Sequence, residues 1–370
     1  FLDKKTDSGV KLFGVFNRRY DFIIPDNPEL EIEDTHVINH LESVLDSIKP
    51  DIVHCFNILG LSFKAAEVIK RRDIPLIYSP ENYYPIDPKL YMFEEELRLW
   101  HGTNLFENSS LPKAYPEKQD SYKKRQAEGL KFLNEYTDLT LAISKRVKEI
   151  LIDFGAEPQR ISVVHQYSSV NPEFRKLSKL IDNKINFGFI GSVLPHKGVH
   201  NFVLAAQLLE GTAEFHVFGD ANPQYLNELR RIDIKNKMTW HGAYSPENMY
   251  KIAETIDIMI IPSVWEECQG LVVLESLVMG IPVLGARIGG IPEFIKEGVN
   301  GFTYPYDSFR NLAAKMQELI IHPEKVHKMQ ENSSSDRDFS AYVNHILKIY
   351  DLTVSGKIES AKEKDLIFGE

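Results

Sequence analysis

The segment Pro262-Ser263-Val264-Trp265-Glu266-Glu267-Cys268-Gln269-Gly270-Leu271-Val272-Val273-Leu274-Glu275 joins an apolar run, Ile258 to Ile261, to a helical pattern that continues to Met279. A short apolar run closed by proline reads as a buried strand, and the pattern after Gly270 reads as a helix. Strand, loop and helix in this order build open α/β sheets, whose ligands bind beyond the carboxyl ends of the strands. A helix start at that edge offers unpaired N–H groups and the positive end of a dipole, which suits a diphosphate. Gly270, lacking a side chain, lets the backbone approach the phosphates. Glu267 and Glu275 have seven residues between them. Carboxylates accept hydrogen bonds from vicinal sugar hydroxyls, but glutamates also gather near helix starts as solvated charges. Spacing leaves both readings open.

Outward from this segment the same alternation recurs. In the second half Ile185–Ile190, Phe215–Phe218, Met238–Trp240 and Val283–Leu284 join Ile258–Ile261 as strands, and 199–209, 246–253 and 271–279 as helices. Gly280-Ile281-Pro282 ends one helix and opens the next strand. In the first half Lys11–Phe16, Asp51–Cys55, Pro75–Tyr78, Leu139–Ile143 and Ile161–Val164 read as strands around helices at 36–48 and 61–71. Such alternation predicts βαβ units and parallel sheets, an α/β class fold. At 370 residues the chain exceeds what one core usually serves. The expected division is an acceptor-side domain at 1–178 and a donor-binding domain at 179–339, with the polar stretch Arg175–Lys184 as linker. A C-terminal helix at about 340–370 is expected to pack back on the first domain. Residues 91–120 are less regular and are expected to hold flexible, acceptor-side elements.

Three further segments carry candidate chemistry. Gly191-Ser192-Val193-Leu194-Pro195-His196-Lys197-Gly198 follows a strand and precedes a helix. Lys197 there is placed to neutralise a leaving phosphate, or is an exposed turn lysine. The segment is not a nucleotide-binding P-loop, because G-x-x-x-x-G-K-[ST] is absent. Ala286-Arg287-Ile288-Gly289-Gly290-Ile291-Pro292-Glu293 reads as a tight turn near the same edge, with or without a ligand contact. Gly219 follows one strand and His241-Gly242-Ala243-Tyr244 another, where a base or ribose can pack.

Composition narrows the classes. Apolar residues are 43%, charged residues 26% and the net charge is -10, which fits a globular chain and argues against a dedicated nucleic-acid binder. Two cysteines, Cys55 and Cys268, cannot make a disulfide framework or a four-ligand zinc site, so a reducing, cytoplasmic setting is expected. No apolar run approaches the roughly 20 residues that span a bilayer. No leader segment is visible, and the first residue is Phe1 rather than Met.

Taken in order, Lys197-Gly198, Pro262-Ser263, Glu267 through Glu275, Gly280-Ile281-Pro282-Val283, Gly289 through Glu293 and Asn300-Gly301-Phe302 resemble glycosyltransferase family 4, strongly from about residue 188 to 302 and weakly from 49 to 164. The resemblance implies a GT-B fold, two Rossmann-like domains facing a cleft, and a retaining transfer that needs no metal or other cofactor. It implies that Glu275 binds the donor ribose and that Glu267 faces the transferred sugar. Lys197 falls on the diphosphate, which Gly270, Leu271 and Val272 hold through the helix start. Gly191, Ser192, Gly219, Gly242 and Ala243 complete the expected donor site. Glu267, Lys197 and Glu81 are the candidates for a direct part in the reaction.

The chain also departs from the family. Ser192 stands where an arginine is common. Glu81-Asn82-Tyr83-Tyr84 stands where His-Asp-Tyr-Trp is common, so Glu81 replaces a histidine near the reacting centre. His165-Gln166 replaces Asn-Gly after Val164, and no glycine-rich loop precedes Lys11. His54, in Pro50-Asp51-Ile52-Val53-His54, matches a family pattern, and it also reads as a structural histidine satisfied inside its domain.

The expected partners are a nucleotide-sugar, UDP-sugar favoured over GDP-sugar, and a saccharide or lipid-linked saccharide acceptor. Many relatives act on lipid-linked acceptors, which places the protein at the inner membrane face as an alternative to free cytoplasm. The basic stretch 113–125 mixes its lysines with Glu117 and Asp120 and reads as a solvated face. Two rivals remain: a nucleotide-sugar epimerase on the same scaffold, and a non-catalytic sugar-nucleotide binding subunit. An NAD-dependent dehydrogenase is poorly supported, since no G-x-G-x-x-G follows a strand.

Overall fold

The computed structural model describes residues 2–5, 10–14, 27–94, 96–168, 170, 184–333 and 339–357. The chain forms two compact units. One comprises Phe1–Glu94, Trp100–His165 and Val343–Glu370, and the other Glu95–Leu99 and Gln166–Tyr342. Of the expected linker only Lys184 lies within the described residues, and Val15 and Phe16 of the expected first strand lie outside them, as does the chain beyond Lys357.

In the first unit, β1 (Leu2–Lys5) and β2 (Lys11–Gly14) form an antiparallel pair, followed by α1 (Pro28–Ile32) and α2 (Thr35–Ile48). Then come β3 (Val53–Cys55), α3 (Phe63–Lys70), β4 (Leu76–Tyr78), α4 (Leu105–Asn108), α5 (Leu111–Ala114) and α6 (Gln119–Lys131). Next are β5 (Leu139–Ala142), α7 (Lys145–Phe154) and β6 (Ile161–Val163). Strands β3-β4-β5-β6 lie side by side in parallel. Local chemistry sets the helix limits. Asp34 caps α2 by accepting from the His36 and Val37 N–H groups, and Ser144 caps α7 through the Val147 N–H. Gly155 stops α7 in the left-handed conformation.

The irregular run after β4 is tied down from α6. Arg125 is fully buried, pairs with the buried Glu31, and donates to the Tyr84 and Pro85 carbonyls. Asp87, also fully buried, accepts the N–H groups of Lys89 at 2.9 Å and Met92 at 2.8 Å. A buried charge persists only when paired and hydrogen-bonded in this way. Among the described residues of 91–120 only the short helices α4 and α5, a turn at Pro116–Lys118 and the start of α6 are regular. Met92, Trp100, Leu105 and Leu111 are nonetheless buried, so much of this stretch is packed.

The second unit contains β7 (Ile185–Ile190), α8 (Val199–Leu208), β8 (Ala213–Phe218), α9 (Pro223–Ile232), β9 (Met238–Gly242), α10 (Met249–Thr255) and β10 (Ile258–Ile261). It continues with α11 (Leu271–Val278), β11 (Val283–Ala286), β12 (Gly301–Tyr304), α12 (Phe309–Ile321) and α13 (Pro323–Asn332). Helix α14 (Phe339–Val354) groups with the first unit from Val343 onward.

The second sheet is wholly parallel, in the order β12-β11-β10-β7-β8-β9. Counted from β7, that order is 3-2-1-4-5-6 read from the far edge, the doubly wound dinucleotide-fold arrangement. Strands β7 and β10 are buried nearly throughout, which is why they read as continuous apolar runs. The chain winds one way from β7 and the other way from β10, so the switch point lies between these two strands. Ligand sites in such sheets form at the carboxyl ends of the strands flanking that point.

Candidate active site

Two loops meet at this switch point. The loop after β7 carries a short turn of helix at Pro195–Lys197, and the loop after β10 carries residues 262–270. Gly198 makes their contact feasible. Its φ is 71°, and a Cβ there would lie 1.8 Å from the Pro262 carbonyl oxygen, inside any allowed distance. The Val264 N–H donates to the His196 carbonyl at 3.0 Å, sewing the loops together.

That seam brings together residues 70 positions apart. Lys197 Nζ donates to Glu267 Oε1 at 2.7 Å, and the Ser263 hydroxyl donates to the same oxygen at 2.8 Å. The Lys197 ammonium also lies 5.1 Å from the centre of the Trp265 ring. Burial pushes the Glu267 carboxyl up, but Lys197, Ser263 and Trp265 outweigh it and hold it below its ordinary 4.5. Glu267 is therefore a buried, ionised acid rather than a solvated helix-face charge, and Lys197 is not a free turn lysine. The ammonium keeps two of its three protons for another acceptor. Next to it, His196 packs edge-on to Trp265, and burial, then the Lys197 charge, pushes its pKa down to about 4, leaving it neutral.

The sequence leaves the Gly289-Gly290 turn undecided between structure and ligand. A Cβ on Gly289 would lie 2.4 Å from the Glu267 nitrogen and 2.3 Å from its carbonyl oxygen, and the Gly290 N–H donates to that oxygen at 2.8 Å. The turn thus supports the Glu267 backbone. The Gln269 side chain holds the loop from the other side, accepting the Gln166 N–H at 2.6 Å and donating to its carbonyl at 3.3 Å.

Gly270, with φ 77°, is the N-cap of α11 and has no side chain to satisfy the helix start. The N–H groups of Leu271 and Val272 belong to the first turn, which has no intrahelical acceptors for them. Leu271 is exposed and Val272 half-buried. Glu275 lies one turn further along. Burial raises its carboxyl above the usual range, and its charge adds to the burial that raises the Tyr244 hydroxyl. Among the described residues no hydrogen bond or ion pair engages the Glu275 carboxylate, so it remains available to a ligand.

Along the same edge the backbone near Gly191, Gly219 and Gly242 is stitched strand to strand. The Gly191 N–H donates to the Phe218 carbonyl at 3.0 Å, and the Gly219 N–H to the Gly242 carbonyl at 2.8 Å. Ser192, Gly242 and Ala243 are exposed, and Gly219 is buried. His241 stacks on Phe218 with centroids 4.0 Å apart and the rings 4° from parallel. Among the described residues no group of three or more His, Cys, Asp and Glu side chains is arranged to hold a metal ion.

Glu81 lies in the first unit, exposed, three residues past β4. In the same unit His54 ends in a satisfied environment: Nε2 is 2.8 Å from the Ser79 hydroxyl and Nδ1 is 2.7 Å from the Tyr350 hydroxyl. Its structural reading therefore holds. Ser263 and Gln269 enter the sequence reading only as parts of family motifs, and neither they nor Trp265 are given a role there. A hydroxyl four residues ahead of an acid, directly after a buried strand, is the available signal for Ser263.

Comparison with known proteins bears on the family and the fold. The family described as "Glycosyltransferase Family 4" matches residues 13–166, and "Glycosyl transferases group 1" matches residues 170–336. The chain belongs to glycosyltransferase family 4. As a family 4 member it is similar to an uncharacterised 42.6 kDa protein in the cps region of Klebsiella pneumoniae, 25% identical over 71% of this chain and 64% of that protein. It is also similar to the sulfoquinovosyl transferase SQD2 of Arabidopsis thaliana, 23% identical over 75% of this chain and 51% of that one. The matches span less than two thirds of the length of these curated relatives. Among solved structures it resembles Anabaena HepE in complex with UDP and glucose, with TM-score 0.65 and 18% identity, covering 88% of this chain and 82% of that one. These likenesses establish the GT-B fold for this family 4 chain. Among the described residues, no helix is long and apolar enough to cross a membrane.

Proposed function

We propose that the chain is a retaining glycosyltransferase that moves a sugar from a nucleotide-sugar, with UDP-sugars favoured over GDP-sugars, to a hydroxyl acceptor in polysaccharide or glycolipid assembly. The observation that carries the proposal is the meeting of Lys197 and Glu267 at the switch point of the second sheet, one loop away from the uncapped start of α11. The HepE structures solved with UDP and with UDP-glucose support the choice of donor.

In this reading the diphosphate lies against the N–H groups of Leu271 and Val272, where the helix dipole favours negative charge. The two spare protons of Lys197 reach the same phosphates. Glu275, unpaired and partly buried, accepts the ribose hydroxyls. Glu267 faces the transferred sugar, oriented by Ser263 and Lys197. As the bond from the anomeric carbon to the phosphate oxygen lengthens, positive charge grows on the sugar and negative charge on the phosphate. Preorganised donors such as Lys197 stabilise the latter, at about 2.7–4 kcal/mol for a strong one. The departing phosphate oxygen takes the acceptor's proton on the same face, so no separate protein base is required. The reaction needs no metal, and the acceptor is a saccharide or lipid-linked saccharide.

The test is turnover with a panel of UDP-, GDP- and ADP-sugars and saccharide acceptors, with and without EDTA. Release of nucleoside diphosphate with a glycosylated product, unaffected by EDTA, supports the reading. An isomerised sugar with no transfer points to an epimerase, and donor binding without turnover to a non-catalytic subunit. NMR of the product's anomeric proton decides retention.

A further inference from the structure

The first unit contains a hydrogen-bonded chain that the proposed transfer does not use. His54 lies in β3, Ser79 follows β4 directly, and Tyr350 lies on α14, which returns to this unit 296 residues downstream of His54. The imidazole stands between two hydroxyls, at 2.8 Å from Ser79 and 2.7 Å from Tyr350. Phe56 stacks on one face of the ring at 4.2 Å, and Tyr350 meets it edge-on. The ring is thus fixed in position, plane and partners.

Burial drives the His54 pKa down to about 4, so the imidazole is neutral near pH 7. A neutral imidazole has one N–H and one lone pair. The two hydroxyls must therefore take opposite roles, one donating to the ring and the other accepting from it. If Tyr350 donates, Ser79 accepts, and the reverse holds if Tyr350 accepts. The direction of the Tyr350 hydroxyl, the His54 tautomer and the direction of the Ser79 hydroxyl are therefore linked. Ser79 is 5% exposed and begins the short run Ser79-Pro80-Glu81, whose acid is exposed. Proline limits the backbone freedom of that run, and Glu81 lies two residues past the anchored Ser79.

We propose that Tyr350 is a positioning residue for the transfer reaction: through His54 and Ser79 it fixes the loop that presents Glu81. The proposal rests on the transferase reading for its kinetic arm only. It leaves the donor machinery of the second unit unaltered, and so separates effects on rate from effects on donor binding.

The experiment compares the full-length protein with Tyr350→Phe, Ser79→Ala and the double variant. Tyr350→Phe keeps the ring packing and removes only the hydroxyl, leaving one nitrogen of a buried imidazole without its partner. The expected result is a fall in kcat of about tenfold with the donor KM unchanged. The double variant is expected to lose no more than the worse single one, since both break one chain. A second arm does not use activity: nitrogen-15 NMR of histidine-labelled protein reads the His54 tautomer. One defined tautomer in the wild type and a mixture in Tyr350→Phe support the chain of bonds. Wild-type kcat in Tyr350→Phe overturns the positioning role, as does a loss of kcat that only tracks lost folded protein. A tautomer mixture already present in the wild type overturns the coupling itself. Absence of transfer by the wild type with every donor counts against the transferase reading, while the NMR arm still decides the coupling.

Discussion

At the strand ends of the second unit Lys197 and Glu267 form an ion pair, the Glu275 carboxyl lies one helical turn along α11, and backbone contacts hold the loops. At the strand ends of the first unit His54, Ser79 and Tyr350 are neutral and bonded to one another. The difference follows what each edge is proposed to handle. A nucleoside diphosphate carries fixed charges, so its site needs fixed countercharges and N–H groups at set distances. An acceptor hydroxyl is uncharged, and its site needs orientation more than field. The second edge is accordingly built with close backbone approaches, at Gly198 and Gly289, that allow no slack. The first is built with side-chain hydrogen bonds that a single substitution can loosen.

This contrast can be broken most sharply at Lys197. Lys197→Ala is expected to lower kcat by about 10²–10³-fold, the scale for losing one strong donor to a developing anion, measured as nucleoside diphosphate released at saturating donor. A loss under about threefold would remove Lys197 from the reaction. The same variant bears on pH. The Glu267 carboxyl is depressed in the folded protein, so its ion pair contributes stability that is present above the unfolded value of 4.5 and lost as pH falls through the folded value. Without Lys197 the carboxyl rises, and the acid-side fall in thermal midpoint is expected to begin at higher pH than in the wild type.

Glu275→Ala is expected to raise the donor KM by about 10- to 100-fold, the worth of a hydrogen bond to a charged group, with the acceptor KM unchanged. A change in acceptor KM alone would assign Glu275 to the wrong ligand. Gly198→Ala places a Cβ against a backbone carbonyl at a positive φ and is expected to cost about 2–4 kcal/mol of stability, read by thermal unfolding. An unchanged midpoint would show that the two loops can part without penalty. Smallest is Glu81→Ala, expected to lower kcat by about tenfold and leave donor affinity, by calorimetry, as it was. Equal damage to donor affinity would erase the proposed division of labour between the units.

The second unit is the more legible in sequence for a physical reason. Its central strands are buried on both faces, so Ile185–Ile190 and Ile258–Ile261 show as apolar runs whose limits the structure reproduces. Strand β12, Gly301–Tyr304, is short and mixes glycine and threonine with two aromatics, so its pattern does not announce a strand. Helix α7, absent from the expected helices, nonetheless carries the helical signature: Val147, Ile150, Leu151 and Phe154 recur at helical spacing between the Ser144 cap and Gly155. The sequence order suggests Lys197 and Glu267 separately. Their pairing depends on Gly198 meeting Pro262 across the switch point, a contact no local pattern encodes. In the first unit the link between His54 and Tyr350 spans 296 positions, and only folding discloses it.

The strand order has a consequence for synthesis. Within the second sheet β7, β8 and β9 precede β10 in the chain, and β10 alone pairs one side of β7. Until residue 261 has emerged, that strand is a bare apolar rim of the kind that recruits other chains. Docking of the four-residue β10 both covers the rim and places the start of the loop that carries Glu267 beside the loop that carries Lys197.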